Sequence, residues 1–298
     1  MKFLAQCGAV PVAVAASDFG RSRFHAERLA ALYNIQCRPY ASVTEMLVGE
    51  NLDALAICTP PEGHAEQLNL ALDRGIHVFC EKPLIWKRNK DTTATANVLV
   101  KSFYEKNLVL HCNTQWTYTL ADFERLHGPI EHAVVEKFEI QLSPAMKDTE
   151  SMIREAVPHA NSLLLALGAT GKPWNLEFAE HEVNGAPKQW EARFSIRAKS
   201  GQTISARYRF TQCREQPRPA AYAINGREAR REITLQGYRQ YFCAGARRVA
   251  ICDPLKTSVM EFLEKIRICR SGGGVLFNSA AAENMRLLGY LYLSQCYE

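Results

Sequence analysis

The first third of the chain alternates short apolar runs with segments that place apolar residues three and four positions apart. The runs cover residues 12–16, 53–58, 77–80 and 108–113. Each run is short enough for a buried strand, and the spacing between the runs is typical of amphipathic helices. Strands that alternate with helices predict a parallel sheet with helices on both faces.

From about residue 130 the pattern changes to longer strands separated by turns. A strand is predicted over residues 134–142 and a helix over residues 152–167. Further strand-like runs follow at residues 191–198, 203–210, 220–225, 232–235 and 238–243. Two helices, 255–269 and 279–293, close the chain on either side of a run of three glycines. This half predicts an α+β domain with a mostly antiparallel sheet.

Composition adds few constraints on function. The 298 residues include 47% apolar and 22% charged residues, with a net charge of +5, as in an ordinary globular protein. The basic residues form no long run, which argues against nucleic acid as a partner. Six arginines between residues 227 and 248 alternate with apolar residues, and we interpret them as solvated strand faces.

The cysteine pattern favours a reducing, cytoplasmic location. Ten cysteines occur without any C-x-x-C pair, so no metal site is predicted. The first seventeen residues imitate a secretion signal, but Gln6 and Pro11 interrupt the apolar stretch, and a strand is the better interpretation. No segment reaches the ~18–20 apolar residues of a membrane span, so no membrane partner is expected.

Two predicted strands end in short polar motifs. The run at residues 53–58 is followed by Thr59, Pro60 and Pro61, with His64 shortly after, and the run at residues 77–80 is followed by Glu81-Lys82-Pro83. A strand ending in Thr-Pro-Pro, a helix, and a strand ending in Glu-Lys-Pro resembles the glucose–fructose oxidoreductase / inositol dehydrogenase / MocA (Gfo/Idh/MocA) family of NAD(P)-dependent oxidoreductases.

The resemblance implies a fold of two domains. Residues 1–115 would form a Rossmann-like, doubly wound domain that binds NAD(P) and lacks its first strand. Residues 116–298 would form the α+β substrate and oligomerisation domain, and the C-terminal helices could pack back on the first domain.

The resemblance also implies roles for the strand-end residues. Thr59, Pro60, Pro61 and His64 would lie beside the cofactor, as would Glu81 and Asn113. Lys82 would lie at the junction of nicotinamide and substrate, with a cis bond to Pro83. An ammonium there can stabilise the alkoxide that develops during hydride transfer.

A second implied group lies on the predicted helix at residues 152–167. The family carries an Asp-x-x-x-His pair beside the substrate, and here the matching residues are Glu155 and His159. Residues i and i+4 share a helix face, so the carboxylate can orient an imidazole that passes the hydroxyl proton. Here a glutamate, longer by one methylene, stands where the family carries an aspartate.

The segment after the strand at residues 108–113 is the expected substrate pocket. Asn113 matches the family, but Gln115 and Trp116 stand where relatives carry a basic residue. An anionic or phosphate-bearing substrate is therefore less supported here. Trp116 could instead offer a stacking face to a sugar.

The choice between NAD and NADP stays open. An acid after the second Rossmann strand suits the ribose hydroxyls of NAD, whereas Ser plus Arg suits the 2′-phosphate of NADP. The chain offers Ser17, Asp18 and Arg21 and so satisfies both descriptions, with a slight preference for NAD through Asp18.

One family element has no counterpart before Glu81, namely the glycine-rich turn that holds the pyrophosphate. Either the chain begins about twenty residues late, or it has lost tight dinucleotide binding. An empty central strand position would expose unpaired backbone groups, which favours the first explanation.

The sequence thus predicts an oxidoreductase that transfers a hydride between NAD(P) and a secondary alcohol or ketone of a sugar, polyol or related small molecule. A homo-oligomer formed through the C-terminal sheet is also expected. The alternative is a non-catalytic relative with an assembly, regulatory or ligand-sensing role and impaired dinucleotide binding.

Overall fold

The computed structural model describes residues 1–146, 148–181, 188–234, 236 and 238–295. By compactness the chain divides into two units, and each is discontinuous in sequence. The first unit comprises residues 1–84, 97–113 and 255–278, and the second comprises residues 85–96, 114–254 and 279–298. The domain boundary at residues 115/116 stays a prediction.

The first unit contains parallel strands with helices between them. Its elements in chain order are α1 (Lys2–Gln6), β1 (Ala13–Ala15), α2 (Phe19–Tyr33), β2 (Arg38–Tyr40), α3 (Val43–Gly49), β3 (Ala54–Ile57), α4 (His64–Asp73), β4 (His77–Glu81), most of α5 (Thr93–Glu105), β5 (Leu110–Asn113) and nearly all of α8 (Pro254–Ile268). Strand β1 pairs with β2, and the order β3-β4-β5 forms a second sheet. All three pairings are parallel, which confirms the predicted α/β class.

Helix starts follow the capping rules. The side chain of Asp18 accepts a 2.8 Å hydrogen bond from the backbone N–H of Arg21 at the start of α2. Ser42 does the same for Glu45 at the start of α3, at 3.1 Å, and the Glu45 carboxylate accepts from the backbone N–H of Ala41.

The core of the first unit includes residues from near the C-terminus. Phe79 of β4 and Val109, next to β5, form one buried cluster with Val259, Phe262 and Ile266 of α8. The helix residues are three or four positions apart, so they line one face of α8.

The second unit is built on one large sheet. Its elements are α6 (Leu120–His127), β6 (Lys137–Leu142), α7 (Thr149–Ala166), β7 (Ala169–His181), β8 (Gln189–Ala198), β9 (Thr203–Thr211), β10 (Ala220–Ile224), β11 (Arg227–Thr234), β12 (Arg239–Ala244), β13 (Arg247–Ala250) and α9 (Ser279–Gln295). The strand order is β13-β12-β11-β10-β6-β9-β8-β7. Among the described strands of this sheet, only the β6–β9 pairing is parallel, so the mostly antiparallel sheet is confirmed.

Alternation along the sheet strands separates a buried face from a more exposed one. Trp190, Tyr208, Phe210 and Tyr222 are fully or almost fully buried, and the first three pack ring against ring. Within the described part of the chain, no helix is both long and apolar enough to cross a membrane.

Candidate functional site

The polar motifs of the first unit follow neighbouring parallel strands. Strands β3, β4 and β5 lie side by side, so their carboxyl ends meet at one edge of the sheet. Thr59, Glu81, Lys82 and Asn113 all lie at or just after these ends. The sheet thus brings together the strand-end residues that the sequence singled out.

Glu81 and Asn113 form a cross-strand pair at this edge. They are partners in the β4–β5 register, and the Asn113 Nδ2 amide donates a 2.8 Å hydrogen bond to Glu81 Oε1. Asn113 Oδ1 is covered from solvent and has no hydrogen-bond partner among the described residues. The pair therefore presents a buried acceptor at the edge where ligands of such sheets bind.

Lys82 is half-buried and joined to Pro83 by a cis peptide bond, as the family resemblance implies. The charge of its ammonium also affects the pKa of the Cys112 thiol. Burial and then the Glu81 carboxylate raise the pKa of Cys112 to about 12, while Lys82 opposes them. The thiol is therefore protonated at neutral pH, which argues against a nucleophilic role for Cys112.

His64 connects the two loops at this edge. Its ring is fully buried, with Nδ1 3.0 Å from the carbonyl oxygen of Pro83 and Nε2 2.9 Å from that of Thr59. The Thr59 hydroxyl also donates to Gln67 Oε1 at 3.1 Å. Because both ring nitrogens face backbone carbonyls, the role that the geometry gives to His64 is to position the loops. Pro60 and Pro61 lie in the turn between Thr59 and His64, which the contact between these two residues holds in place.

The residues expected at the ribose are exposed and bonded to one another. Besides capping α2, Asp18 accepts from the Ser17 hydroxyl at 3.3 Å through its second oxygen. The Arg21 guanidinium donates to the same hydroxyl, also at 3.3 Å. The acceptor Asp18 and the cation Arg21 lie on the same turn, so the geometry favours neither NAD nor NADP.

The second unit carries the predicted proton-handling pair on α7. Glu155 and His159 are four residues apart on this helix, and both are half-buried. The helix contains Pro158, whose carbonyl accepts from Asn284 Nδ2 of α9 at 2.8 Å. In return Asn161 Nδ2 donates to the carbonyl of Asn284 at 3.2 Å. The segment that carries His159 is thus fixed to α9 by two reciprocal hydrogen bonds.

Gln115 and Trp116 lie in a 3₁₀ turn, Gln115–Thr119, of the same unit. Trp116 is 6% exposed, and its ring meets Tyr222 edge-on at 6.4 Å between centroids. The guanidinium of Arg231 lies 5.2 Å from the centroid of the indole. The prediction of a solvated strand face is wrong for Arg231, which is half-buried and lies over this indole.

The strand-end and ribose-side residues fit a dinucleotide. The covered oxygen of Asn113 can accept from a carboxamide, and Asp18 or Arg21 can contact a ribose hydroxyl or phosphate. No Gly-x-Gly-x-x-Gly segment precedes Glu81 to hold the pyrophosphate. Among the described residues, no three His, Cys, Asp or Glu side chains are grouped as metal ligands would be.

Comparison with known proteins confirms the dinucleotide-binding fold. Residues 8–114 match the model of an oxidoreductase family with an NAD-binding Rossmann fold, Gfo/Idh/MocA. A 45-residue segment is 47% identical to D-xylose 1-dehydrogenase (NADP(+)) 2 of Haloferax volcanii. That segment covers 15% of this chain and only 14% of the relative.

Similarity to solved structures extends over nearly the whole chain. A UDP-N-acetylglucosamine 3-dehydrogenase from Acidithiobacillus ferrooxidans is 18% identical, with a TM-score of 0.66 over 97% of this chain and 92% of that one. A 3-ketoreductase from Actinomadura kijaniata, solved with NADP and TDP-benzene, is also 18% identical. Its TM-score is 0.65 over 98% of this chain and 92% of that one. At this identity the structural likeness supports the two-part fold alone.

Proposed function

We propose that the chain transfers a hydride between NAD(P) and a secondary alcohol or ketone of a sugar, polyol or related small molecule. The proposal is supported by the match of residues 8–114 to the model of the Gfo/Idh/MocA oxidoreductase family, which has an NAD-binding Rossmann fold. The observation that carries this proposal is the Glu81–Asn113 pair with Lys82 directly after it, at the carboxyl edge of β3-β4-β5. The named relatives, a xylose dehydrogenase and a sugar-nucleotide dehydrogenase, agree with a sugar-like substrate.

The chain's own residues would handle the proton and the developing charge. Bound NAD(P) supplies the hydride donor or acceptor. The Lys82 ammonium donates a hydrogen bond to the reacting oxygen and stabilises its negative charge. His159 accepts the hydroxyl proton in oxidation and returns it in reduction, and Glu155 orients the imidazole from the preceding helical turn.

Dinucleotide titration tests the first part of this proposal. When NADH or NADPH is titrated with the protein, the fluorescence of the cofactor should change and reach a plateau. If neither cofactor binds, the oxidoreductase proposal is rejected, and an assembly or ligand-sensing role becomes the better account.

Turnover tests the assigned roles. Lys82→Ala and His159→Ala should each lose turnover by at least about a hundredfold, the lower range for a general acid–base or oxyanion-stabilising group, with dinucleotide affinity retained. Lys101→Ala and His25→Ala replace exposed residues of the first unit and serve as controls. Retained turnover in either site variant would reject that residue's role.

Sugar stacking on Trp116 is a separate proposal. Loss of the indole in Trp116→Ala should weaken substrate binding by about tenfold if a sugar packs on it, the gain that aromatic packing typically provides. Unchanged affinity would remove the idea.

We also propose that copies of the chain associate through the more exposed face of the large sheet. Arg193, Arg207 and Arg209 of β8 and β9 surround Glu191 there, with nitrogen–oxygen distances of 2.7 to 3.3 Å. Glu191→Arg would place four cations together. If this face is the interface, the variant should show a smaller mass than the wild type by light scattering.

A further inference from the structure

Arg231 has an unusual place in the large sheet. In the strand register it lies opposite Ala220 of β10 on one side and Phe242 of β12 on the other. Ala220 in turn lies opposite Leu142 of β6. Cross-strand partners point to the same face of a sheet, and these three neighbours are buried. The Arg231 guanidinium therefore lies in an apolar row on the buried face.

Arg218 lies beside Arg231, and neither arginine has an acidic partner among the described residues. A terminal nitrogen of Arg231 donates to the carbonyl oxygen of Arg218 at 3.0 Å. The Nε atoms of both arginines are covered from solvent and have no hydrogen-bond partner among the described residues. Within that part of the chain, no carboxylate lies within ion-pair distance of either guanidinium. In contrast, Arg230, the next residue along β11, pairs with Glu232 at 3.1 Å.

Two neighbouring cations without a counter-charge are unfavourable in a partly buried position. Burial lowers the pKa of Arg231, the nearby Tyr238 opposes this shift, and the charge of Arg218 lowers the pKa further. Arginine nevertheless keeps its proton in proteins, so the positive charge remains. An oxyanion would offset this desolvation, because the planar guanidinium donates two parallel hydrogen bonds to a carboxylate or a phosphate.

Arg231 also contacts a residue already expected at the substrate. Arg231 covers the ring of Trp116, and Trp116 follows Gln115 in the turn assigned to substrate binding. The sequence made an anionic substrate less expected, because no basic residue occurs in that turn. The fold supplies the missing charge from β11 and from the segment before β10.

We propose that Arg218 and Arg231 bind an oxyanion, a carboxylate or a phosphate, carried by the sugar-like or polyol-like substrate. This proposal rests on the proposed function for the identity of the substrate, but the anion site can be tested without it.

The direct test is an equilibrium titration of the full chain without dinucleotide, in which binding is monitored by tryptophan fluorescence. The probes are inorganic phosphate, D-glucose 6-phosphate, D-gluconate and neutral D-glucose. Saturable binding of the phosphates alone assigns a phosphate-bearing substrate, and binding of gluconate alone assigns a sugar acid. Affinity should fall as ionic strength rises. If none of the charged probes saturates, or if glucose binds as well as they do, the proposal is overturned.

Matched variants locate the site. Arg218→Gln and Arg231→Gln should each weaken anion binding by about tenfold or more, the size expected for a charge-assisted bidentate contact. Arg230→Gln removes the neighbouring arginine, which points to the opposite face, and should stay within about twofold of the wild type. Equal losses in Arg230→Gln and Arg231→Gln would indicate non-specific attraction and reject the site.

Thermal unfolding gives a second measurement that does not depend on the indole signal. Saturating anion should raise the melting temperature of the wild type and of Arg230→Gln, but not of Arg231→Gln. Arg218→Gln covers the case in which Arg231→Gln does not fold. If the anion binds but NAD(P)H does not, the oxidoreductase proposal fails and the anion site stands. If NAD(P)H binds but no anion does, the reverse holds.

Discussion

Asn113 commits one end of its side-chain amide to Glu81, and this fixes the direction of the other end. Because Nδ2 donates to the carboxylate at 2.8 Å, Oδ1 is left as a covered acceptor at the carboxyl edge of the sheet. An amide that was free to flip would present donor and acceptor equally. Glu81 thus selects the hydrogen-bonding character that Asn113 offers to a ligand.

Reversing this polarity should be measurable as a coupling free energy. Asn113→Asp places two carboxylates against each other and should lower the free energy of unfolding by about 1–3 kcal/mol. Glu81→Gln in the same chain restores a donor opposite the new carboxylate and should recover most of that loss. Urea unfolding of the two single variants and the double variant gives the coupling. Additive losses would show that the two side chains do not interact.

Removing the His64 bridge should destabilise the loops that carry Thr59 and Pro83. His64→Leu removes the imidazole that contacts both carbonyl oxygens, and we expect a loss of about 2–4 kcal/mol in the free energy of unfolding. A singly protonated imidazole can donate to only one of them at a time, so the lower end of this range is favoured. The exposed His25→Ala is the control for chemical denaturation. Equal stability of His64→Leu and wild type would contradict the bridging role.

The cofactor preference should respond to the charge of Asp18. Asparagine caps helices about as well as aspartate, so Asp18→Asn should keep α2 stable while it removes the carboxylate. The ratio of the dissociation constants for NADPH and NADH should fall by about tenfold, because a charged acceptor for the ribose is lost and repulsion of a 2′-phosphate is relieved. Arg21→Gln should shift the ratio in the opposite direction. An unchanged ratio in both variants would place the ribose elsewhere.

Buried His111 should make stability depend on pH in the acid range. Its Nε2 lies 2.9 Å from the Ser258 hydroxyl and its ring stacks on Phe79. Burial, with Lys265 adding to it, lowers the pKa of His111 to about 4. An unfolded histidine titrates near 6.5, so between these values the unfolded chain binds the extra proton. This stabilisation is therefore complete above pH 6.5 and is lost as the pH falls toward 4.

The predicted magnitude for His111 is roughly 3 kcal/mol across that range. Carboxylates titrate over the same interval, so the informative quantity is the difference between wild type and His111→Gln. Urea unfolding at pH 7.5, 6 and 5 should give curves for the variant with a smaller pH slope. Parallel slopes would mean that the imidazole takes up its proton over the same pH range in the folded and the unfolded chain.

The reciprocal asparagines should be needed to hold α7. Asn161 donates to α9 and also accepts from the Tyr208 hydroxyl at 3.0 Å. Asn161→Ala breaks both bonds and should lower the free energy of unfolding by about 2–4 kcal/mol, whereas Tyr208→Phe removes one and should lower it by about 1 kcal/mol. Turnover should fall in Asn161→Ala if α7 positions His159. A larger loss in Tyr208→Phe than in Asn161→Ala would refute this assignment.

The sequence predicted the first unit well because its strands carry a simple signal. Buried parallel strands are short apolar runs with polar residues directly after them, and β3, β4 and β5 all have this form. The strand ends, and therefore the neighbours Glu81 and Asn113, followed from this pattern. Their hydrogen bond did not, because it depends on which residues are opposite each other in the register.

The second unit shows where local patterns lose information. Strand β7 was not predicted, since Gly171 and Asn175 have positive φ and the register shifts twice along it, which breaks the alternation of apolar residues. Helix α6 was also missed, although Phe123 and Leu126 lie three residues apart and both are buried. Arg231 was assigned to the wrong face. Adjacent arginines on a strand point to opposite faces, but the sequence does not tell which of them points to the buried face; the strand pairing does.

The chain passes from one compact unit to the other five times along its length. Neither unit can therefore be produced as one continuous stretch of the chain. A chimera that took only the first 115 residues from a relative would lack the matching helix residues that pack against Phe79. The donor would have to supply its own equivalent of residues 255–278 as well, because Phe262 completes that core.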